Sequence, residues 1–339
     1  MHRSELMLDL SAVRRNAELL AKELSGAELW AVVKANAYGH GALAVSRTAM
    51  EAGASALCVA TLNEGLALRQ EIPRARIIVM GPISPNEIRA ARDGKLECVA
   101  HTGEMARFLG DQVDYHLKIN TGLNRWGIEN PDLIPRGRAV GVMSQFATDG
   151  DPEITYRQLS VFLDVAKRVP GATRHIANSC AAWLFPETHL DAVRSGCTLV
   201  GFPPSPDADF GIQPTLRWTS YLAQTRRVAQ GESLGYEGAY RVPKNSVMGI
   251  VPVGYADGFN AKLGGTRILV GDKSAQVVAV FMDAMSIILD EPAPVGSQVT
   301  LIGEGVSLDE HAKIAGIEPW ELSAGIIDDP RRTLRNVTN

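Results

Sequence analysis

The chain has 339 residues, of which 45% are hydrophobic and 21% charged, with a formal net charge of −4. That balance suits a globular protein with one large domain and one smaller one. It offers no basic footprint to nucleic acid or an anionic membrane, and no apolar run reaches the length that spans a bilayer.

In chain order, Leu6-Met7-Leu8 reads as a short strand, and the apolar period predicts a helix over residues 11 to 25. Ser11 stands as its N-cap, with Leu19, Leu20 and Leu24 on one face. Short apolar runs then recur at 30–33, 56–60, 77–80, 97–100, 115–119, 139–143, 175–177 and 198–200, each followed by an amphipathic stretch. Eight such runs, roughly 20 to 30 residues apart, are what a (β/α)8 TIM barrel requires, and in that fold the C-terminal strand ends carry the chemistry.

After about residue 212 the texture changes. Runs at 222–228, 249–253, 266–270, 276–281, 286–289 and 298–302 are β-rich and punctuated by Gly231, Pro252, Gly254, Gly258 and Gly271. A short helix is predicted over 308–315. The expected fold class is therefore α/β, with a (β/α)8 barrel over 10–212. A mostly β C-terminal domain follows over 213–339, and residues 1–9 pair with it. Cys58, Cys98, Cys180 and Cys197 lie far apart with no Cys-x-x-Cys pair, so neither a disulfide framework nor a metal site is expected. The start, Met1-His2-Arg3-Ser4-Glu5-Leu6, has no apolar signal segment, and a cytoplasmic protein is the expectation.

The stretch with the clearest chemistry is Trp30-Ala31-Val32-Val33-Lys34-Ala35-Asn36-Ala37-Tyr38-Gly39-His40-Gly41. An apolar run delivers Lys34 to the end of a strand and breaks into a Gly-x-Gly turn ahead of a helix over 42–52. Desolvation lowers a lysine's pKa, and a neutral amine is a nucleophile toward carbonyls. Tyr38 and the two glycines would let a phosphate approach hydroxyl and backbone donors. A strand-end lysine that reaches water is the plainer alternative. Each part of the string suits pyridoxal 5'-phosphate, which carries an aldehyde near a phosphate.

The same string resembles the cofactor-attachment signature of bacterial alanine racemases, fold-type III pyridoxal-phosphate enzymes. Matching pieces continue from Leu8-Asp9-Leu10-Ser11-Ala12 to Val299-Thr300-Leu301-Ile302-Gly303. The resemblance implies that Lys34 holds the cofactor covalently and then serves as one of two catalytic bases. The other is a tyrosine from the β domain of a partner subunit. In Leu234-Gly235-Tyr236-Glu237-Gly238 that is Tyr236, so a homodimer with shared active sites is implied. Two bases are needed because the proton leaves one face of the substrate and returns on the other.

By the same resemblance His175-Ile176-Ala177-Asn178-Ser179 supplies Asn178 and Ser179 to the cofactor. Ser179 holds the phosphate with Tyr38 and the backbone of Gly196 and Cys197. Arg194, in Arg194-Ser195-Gly196, faces the pyridine nitrogen, where an always-charged donor keeps that nitrogen unprotonated. Lys118-Ile119-Asn120-Thr121-Gly122-Leu123-Asn124-Arg125 gives Arg125 for the substrate carboxylate, and Lys118 occupies a position carbamylated in some members. Gly254-Tyr255-Ala256-Asp257-Gly258 and Phe281-Met282-Asp283 add Tyr255 and the Met282 backbone to the substrate pocket.

The family pattern is broken at four places. Gln145 stands where a histidine is usual, Ile327 near an expected gate tyrosine, Val200 for a tyrosine and Asn120 for an aspartate. The implied activity is interconversion of L- and D-alanine, supplying D-alanine for peptidoglycan. It should be slowed and alkaline-shifted by Gln145. Alternatives are a racemase for serine or another small amino acid, a decarboxylase of the same architecture, and a weakened cofactor-binding relative.

Overall fold

The structure, a computed structural model, describes residues 3–130, 139–205 and 208–338; Met1 and His2 of the expected N-terminal strand region lie outside them. The chain divides into two compact units, Ala12–Gln213 and the combination of Met1–Ser11 with Pro214–Asn339. No helix among the described residues is long and apolar enough to cross a membrane.

After β1 (Glu5–Asp9), the first unit is built on eight parallel strands. They are β2 (Glu28–Val32), β3 (Ala54–Val59), β4 (Ile77–Val79), β5 (Glu97–Ala100), β6 (Tyr115–Lys118), β7 (Ala139–Met143), β8 (Thr173–His175) and β9 (Ala192–Ser195). Their order is β8-β7-β6-β5-β4-β3-β2-β9. The outer two strands meet where Asp191 N–H donates to Arg174 O and Arg194 N–H to Ala177 O, both at 3.1 Å, which nearly closes the sheet into a barrel. Helices such as Leu62–Glu71 and Pro152–Ala166 follow the strands, started by the caps Thr61 and Asp151.

Three sequence expectations shift here. The eighth strand, expected at 198–200, is Ala192–Ser195, and Thr198–Val200 is a single 3-10 turn. Arg194 hid the strand: a charge in a four-residue run erases the apolar signal, although the side chain is buried. The seventh strand begins two residues earlier than expected. The first helix is Leu10–Glu23, so Ser11 lies inside it, its hydroxyl donating to Asp9 Oδ1 at 2.7 Å.

The second unit contributes β10 (Leu216–Tyr221), β11 (Gln224–Val228), β12 (Ser233–Leu234), β13 (Tyr240–Arg241) and β14 (Ser246–Val251). It continues with β15 (Arg267–Val270), β16 (Lys273–Val280), β17 (Met285–Leu289), β18 (Gln298–Ile302) and β19 (Leu334–Thr338). Nine strands form one sheet, β11-β14-β17-β16-β15-β18-β10-β1-β19, and β12 pairs with β13. The strand β1 runs antiparallel to β10, with Leu6 opposite Trp218, and parallel to β19. Alternation along β10 buries Leu216, Trp218 and Ser220 on one face. The run expected at 222–228 contains β11, which pairs with β14, while β10, β19 and the helix Pro319–Ala324 carried no apolar run long enough to predict them.

Candidate active site

Lys34 sits immediately past the C-terminal end of β2, and Ala35, Asn36, Ala37 and Tyr38 follow it with φ of 51°, 54°, 51° and 55°. Four consecutive non-glycine residues in the left-handed region oppose the steric preference of L-residues by about 1–2 kcal/mol each. Local bonds hold them there. Glu64 accepts the Ala35 N–H at 2.7 Å while also accepting Ala60 and Thr61 N–H at 2.8 and 3.0 Å. Asn36 Oδ1 accepts the Ala42 N–H at 2.8 Å. Strain maintained in this way is a mark of functional sites.

The turn leaves Lys34 Nζ 6.0 Å from the centre of the Tyr38 ring. Burial, reinforced by Arg125 and Arg194, holds the Lys34 ammonium below its usual range, with Cys197 and Glu64 opposing. The Tyr38 hydroxyl is hydrogen-bonded to the Cys197 thiol. A Cβ on Gly196 would stand 2.7 Å from the Tyr38 hydroxyl and 2.8 Å from Val32 O, so only glycine lets the phenol lie against this backbone. Ser179 Oγ accepts the Gly196 N–H at 3.2 Å and lies 3.0 Å from Ser195 Oγ. Asn178 caps the next helix by accepting from Ala181 N–H and donates to Asp149 Oδ1 at 2.9 Å. Thr198 Oγ1 is buried with no hydrogen-bond partner. Hydroxyls, a bare backbone surface and a nucleophilic amine thus share one mouth of the barrel, and this donor set fits an aldehyde-bearing phosphate ester.

Arg194 is buried on β9, and burial lowers its guanidinium to about 10. Its Nη1 donates to His175 Nδ1 at 2.8 Å and His175 O at 2.9 Å, and its Nη2 to Ser144 O at 2.8 Å and Gln145 Oε1 at 3.1 Å. Lys118, at the end of β6, is buried and held well below its usual range by that burial and by Arg194, Arg125 and Lys34. Arg125 is exposed in a loop ordered by Asn120, whose Oδ1 accepts Gly122 and Asn124 N–H at 3.1 Å each. Four basic side chains, two of them lysines whose charge burial disfavours, suit a ligand that brings negative charge of its own.

In the β unit, Tyr236, Tyr255 and Met282 gather around Phe281. The Tyr236 ring meets Phe281 edge-on at 5.5 Å, Tyr255 N–H donates to Phe281 O at 2.9 Å, and Ala256 N–H to Met282 O at 2.9 Å. Gly254 is required because a Cβ would overlap the backbone at 281–283. Asp257, fully buried, anchors the loop by accepting Gly254 N–H at 2.8 Å and Arg332 Nε at 2.8 Å. Tyr236 is 81% exposed and Met282 59%. Ile327 donates its N–H to Asp257 O at 3.1 Å and is also exposed.

Sequence reasoning passed over Glu64 and Ser195, and assigned no role to His175. The Thr61-x-x-Glu64 capping box was visible, but its second task on Ala35 was not.

A family model described as alanine racemase, N-terminal domain, matches residues 8–204, and one for the alanine racemase C-terminal domain matches 215–334. An alanine racemase of Symbiobacterium thermophilum is 34% identical over 94% of this chain and 93% of its own. Alanine racemase 1 of Bacillus subtilis is 34% identical over 97% and 92%. The crystal structure of alanine racemase from Bacillus anthracis with bound L-Ala-P superposes with a TM-score of 0.92 at 30% identity, covering 100% of this chain and 96% of that one. The biosynthetic alanine racemase of Pseudomonas aeruginosa gives 0.91 at 31% identity, with 100% of both chains covered.

Proposed function

This chain belongs to the alanine racemase family, and from that membership we propose that it interconverts L- and D-alanine using pyridoxal 5'-phosphate, Lys34 and Tyr236. Bound at Lys34, the cofactor supplies an electron-withdrawing ring that acidifies the Cα–H of the amino acid. The barrel unit is its binding domain. Tyr38, Ser179 and the backbone of Gly196 and Cys197 would hold its phosphate, Asn178 would add to the cofactor site, and Arg194, a donor only, would leave the ring nitrogen without a proton. Arg125 and the backbone of Met282 receive the substrate carboxylate, and Tyr255 lines the substrate pocket.

Racemisation moves one proton off one face of Cα and another onto the opposite face. Lys34, its ammonium destabilised by burial and by neighbouring cations, serves one face as a neutral amine. Tyr236 serves the other from a second copy of the chain, making the enzyme a homodimer with two shared sites. The exposure of Tyr236, Tyr255 and Met282 supports that assembly, because large apolar groups collected on one surface favour burial by a partner. Such an enzyme is cytoplasmic and supplies D-alanine for peptidoglycan.

The observation that carries the reading is the strained turn placing Lys34 beside Tyr38 and Arg194 with its charge suppressed. Circular dichroism of L-alanine incubated with cofactor-loaded protein tests it. Optical activity should decay while the amino acid is conserved. Loss of amino acid indicates a decarboxylase and no change a carrier, and either result contradicts the proposal.

A further inference from the structure

TIM-barrel interiors are filled mainly by branched apolar side chains, and Trp30, Ile78 and Val99 pack inside this one. Through the same core runs an unbroken polar chain drawn from β9, β8, β6 and β5. Arg194 Nη1 lies 2.8 Å from His175 Nδ1, and His175 Nε2 lies 2.9 Å from His116 Nδ1. His116 Nε2 lies 2.7 Å from Glu97 Oε2. Arg76 grips the Glu97 carboxylate through Nε at 2.7 Å and Nη2 at 2.9 Å.

Only one arrangement of protons satisfies this chain. A guanidinium donates and never accepts, and a carboxylate accepts and never donates. His175 Nδ1 is therefore bare, and its proton sits on Nε2 and faces His116. His116 Nδ1 is bare in turn, and its Nε2–H points at Glu97. Both rings are neutral Nε2–H tautomers, in keeping with the burial that holds both below the usual imidazolium range.

The surroundings are shaped for these rings. A Cβ on Gly141 of β7 would overlap the His116 imidazole, so the neighbouring strand is hollowed to admit it. The Trp30 ring lies 5.8 Å from His116 and 4.5 Å from His175, and Arg76 covers it at 4.6 Å. Pairing keeps the Glu97 carboxylate charged at little cost, but stability alone does not explain a polar chain here, since buried ion pairs are often replaced by apolar side chains at no loss. The acceptors that Arg194 reaches directly are neutral, namely the carbonyls of Ser144, His175 and Ile176, the Gln145 amide and the His175 ring. The carboxylate of Glu97 reaches it only through the two imidazoles.

We infer that Glu97 and His116 are positioning residues for Arg194: through His175 they extend a carboxylate's influence across the barrel core, fixing the guanidinium's orientation and keeping it cationic. A carboxylate behind an imidazole raises the basicity of the ring's far nitrogen, and successive hydrogen bonds polarise one another. The titratable and charged groups facing His175 are Arg194, His116, Lys118 and Arg76; those facing His116 are Glu97, Arg76 and Arg194, with His175 hydrogen-bonded to it. The inference rests on the proposed function, in which Arg194 meets the cofactor's ring nitrogen.

Two measurements test it. Long-range 1H–15N NMR of the cofactor-free protein reads histidine tautomers directly. His116 and His175 should both show a protonated Nε2 and a bare Nδ1, and neither should become cationic from pH 9 down to pH 7. A protonated Nδ1 on either ring, or a cationic ring at neutral pH, overturns the chain whether or not the protein is a racemase. The second measurement compares the loaded wild type with His116→Phe and His116→Gln. The phenylalanine breaks the chain, whereas glutamine again presents an acceptor and a donor. His116→Phe should lower kcat on alanine roughly 10- to 100-fold with little change in KM. Its alkaline limb should move to lower pH by about one unit, because an arginine deprived of the carboxylate loses its proton sooner. His116→Gln should recover most of both. Identical rates and pH profiles in all three proteins overturn the positioning role while leaving the racemase itself intact.

Discussion

At the scale of single residues, Gln145 is where this chain departs most consequentially from the family it belongs to. Its amide oxygen accepts from Arg194 at 3.1 Å, so the side chain is held beside the guanidinium but carries no charge of its own. A phenol has an unperturbed pKa of about 10 and needs positive charge nearby to act as a base at neutral pH. Gln145→His should therefore raise the racemisation rate and shift the optimum toward lower pH. A pH–rate profile identical to wild type would contradict the role assigned to this position. Lys34→Ala removes both the attachment point and one base, and a loss of about a thousandfold or more in turnover is expected in a coupled D-alanine assay.

At the scale of elements, the turn after β2 shows how one side chain sets a backbone. Glu64 reaches the Ala35 N–H from the first turn of the helix Leu62–Glu71. Glu64→Ala hands that exposed N–H to water and removes the clamp, at a net cost of about 1 kcal/mol. The variant should melt at lower temperature and bind pyridoxal phosphate more weakly in a fluorescence titration; unchanged affinity would mean that the turn needs no clamp. The Lys34 string was legible because its residue types are unusual together. Its left-handed backbone was not, because Ala35 and Ala37 carry no left-handed signal, Asn36 alone suggests one such residue rather than four, and the cause lies on another segment. The barrel showed the same division. Apolar strands such as β4 and β5 stood out, but β9 was concealed by Arg194, whose compensating partners lie on β8 and in the loop after β7. Gly141 falls within the run expected at 139–143, and the ring that requires it, His116, lies on a different strand. Local patterns reveal apolar burial; polar burial depends on partners distant in sequence.

At the scale of the whole molecule, Glu97 ties stability to pH. Burial alone would raise its carboxyl, but hydrogen bonds from His116 and Arg76 outweigh that and bring it down to about 2. A depressed folded-state pKa contributes stability that is fully present above about pH 4.5 and lost as pH falls toward 2, on the order of 3 kcal/mol. Glu97→Gln should flatten the fall of the urea midpoint across that window, and an unaltered slope would contradict the pairing. The shared sites proposed for a homodimer make a second prediction. Mixing inactive Lys34→Ala with inactive Tyr236→Phe protein should restore up to about a quarter of wild-type activity, because one of the two sites in a mixed dimer is intact. No recovery after subunit exchange would contradict Tyr236 acting across the interface. The most direct test of the central claim is reduction of pyridoxal-phosphate-loaded protein with borohydride, followed by peptide mass mapping. The account predicts one cofactor per chain fixed to Lys34, with the near-visible absorbance lost on reduction; attachment elsewhere, or none, would contradict it.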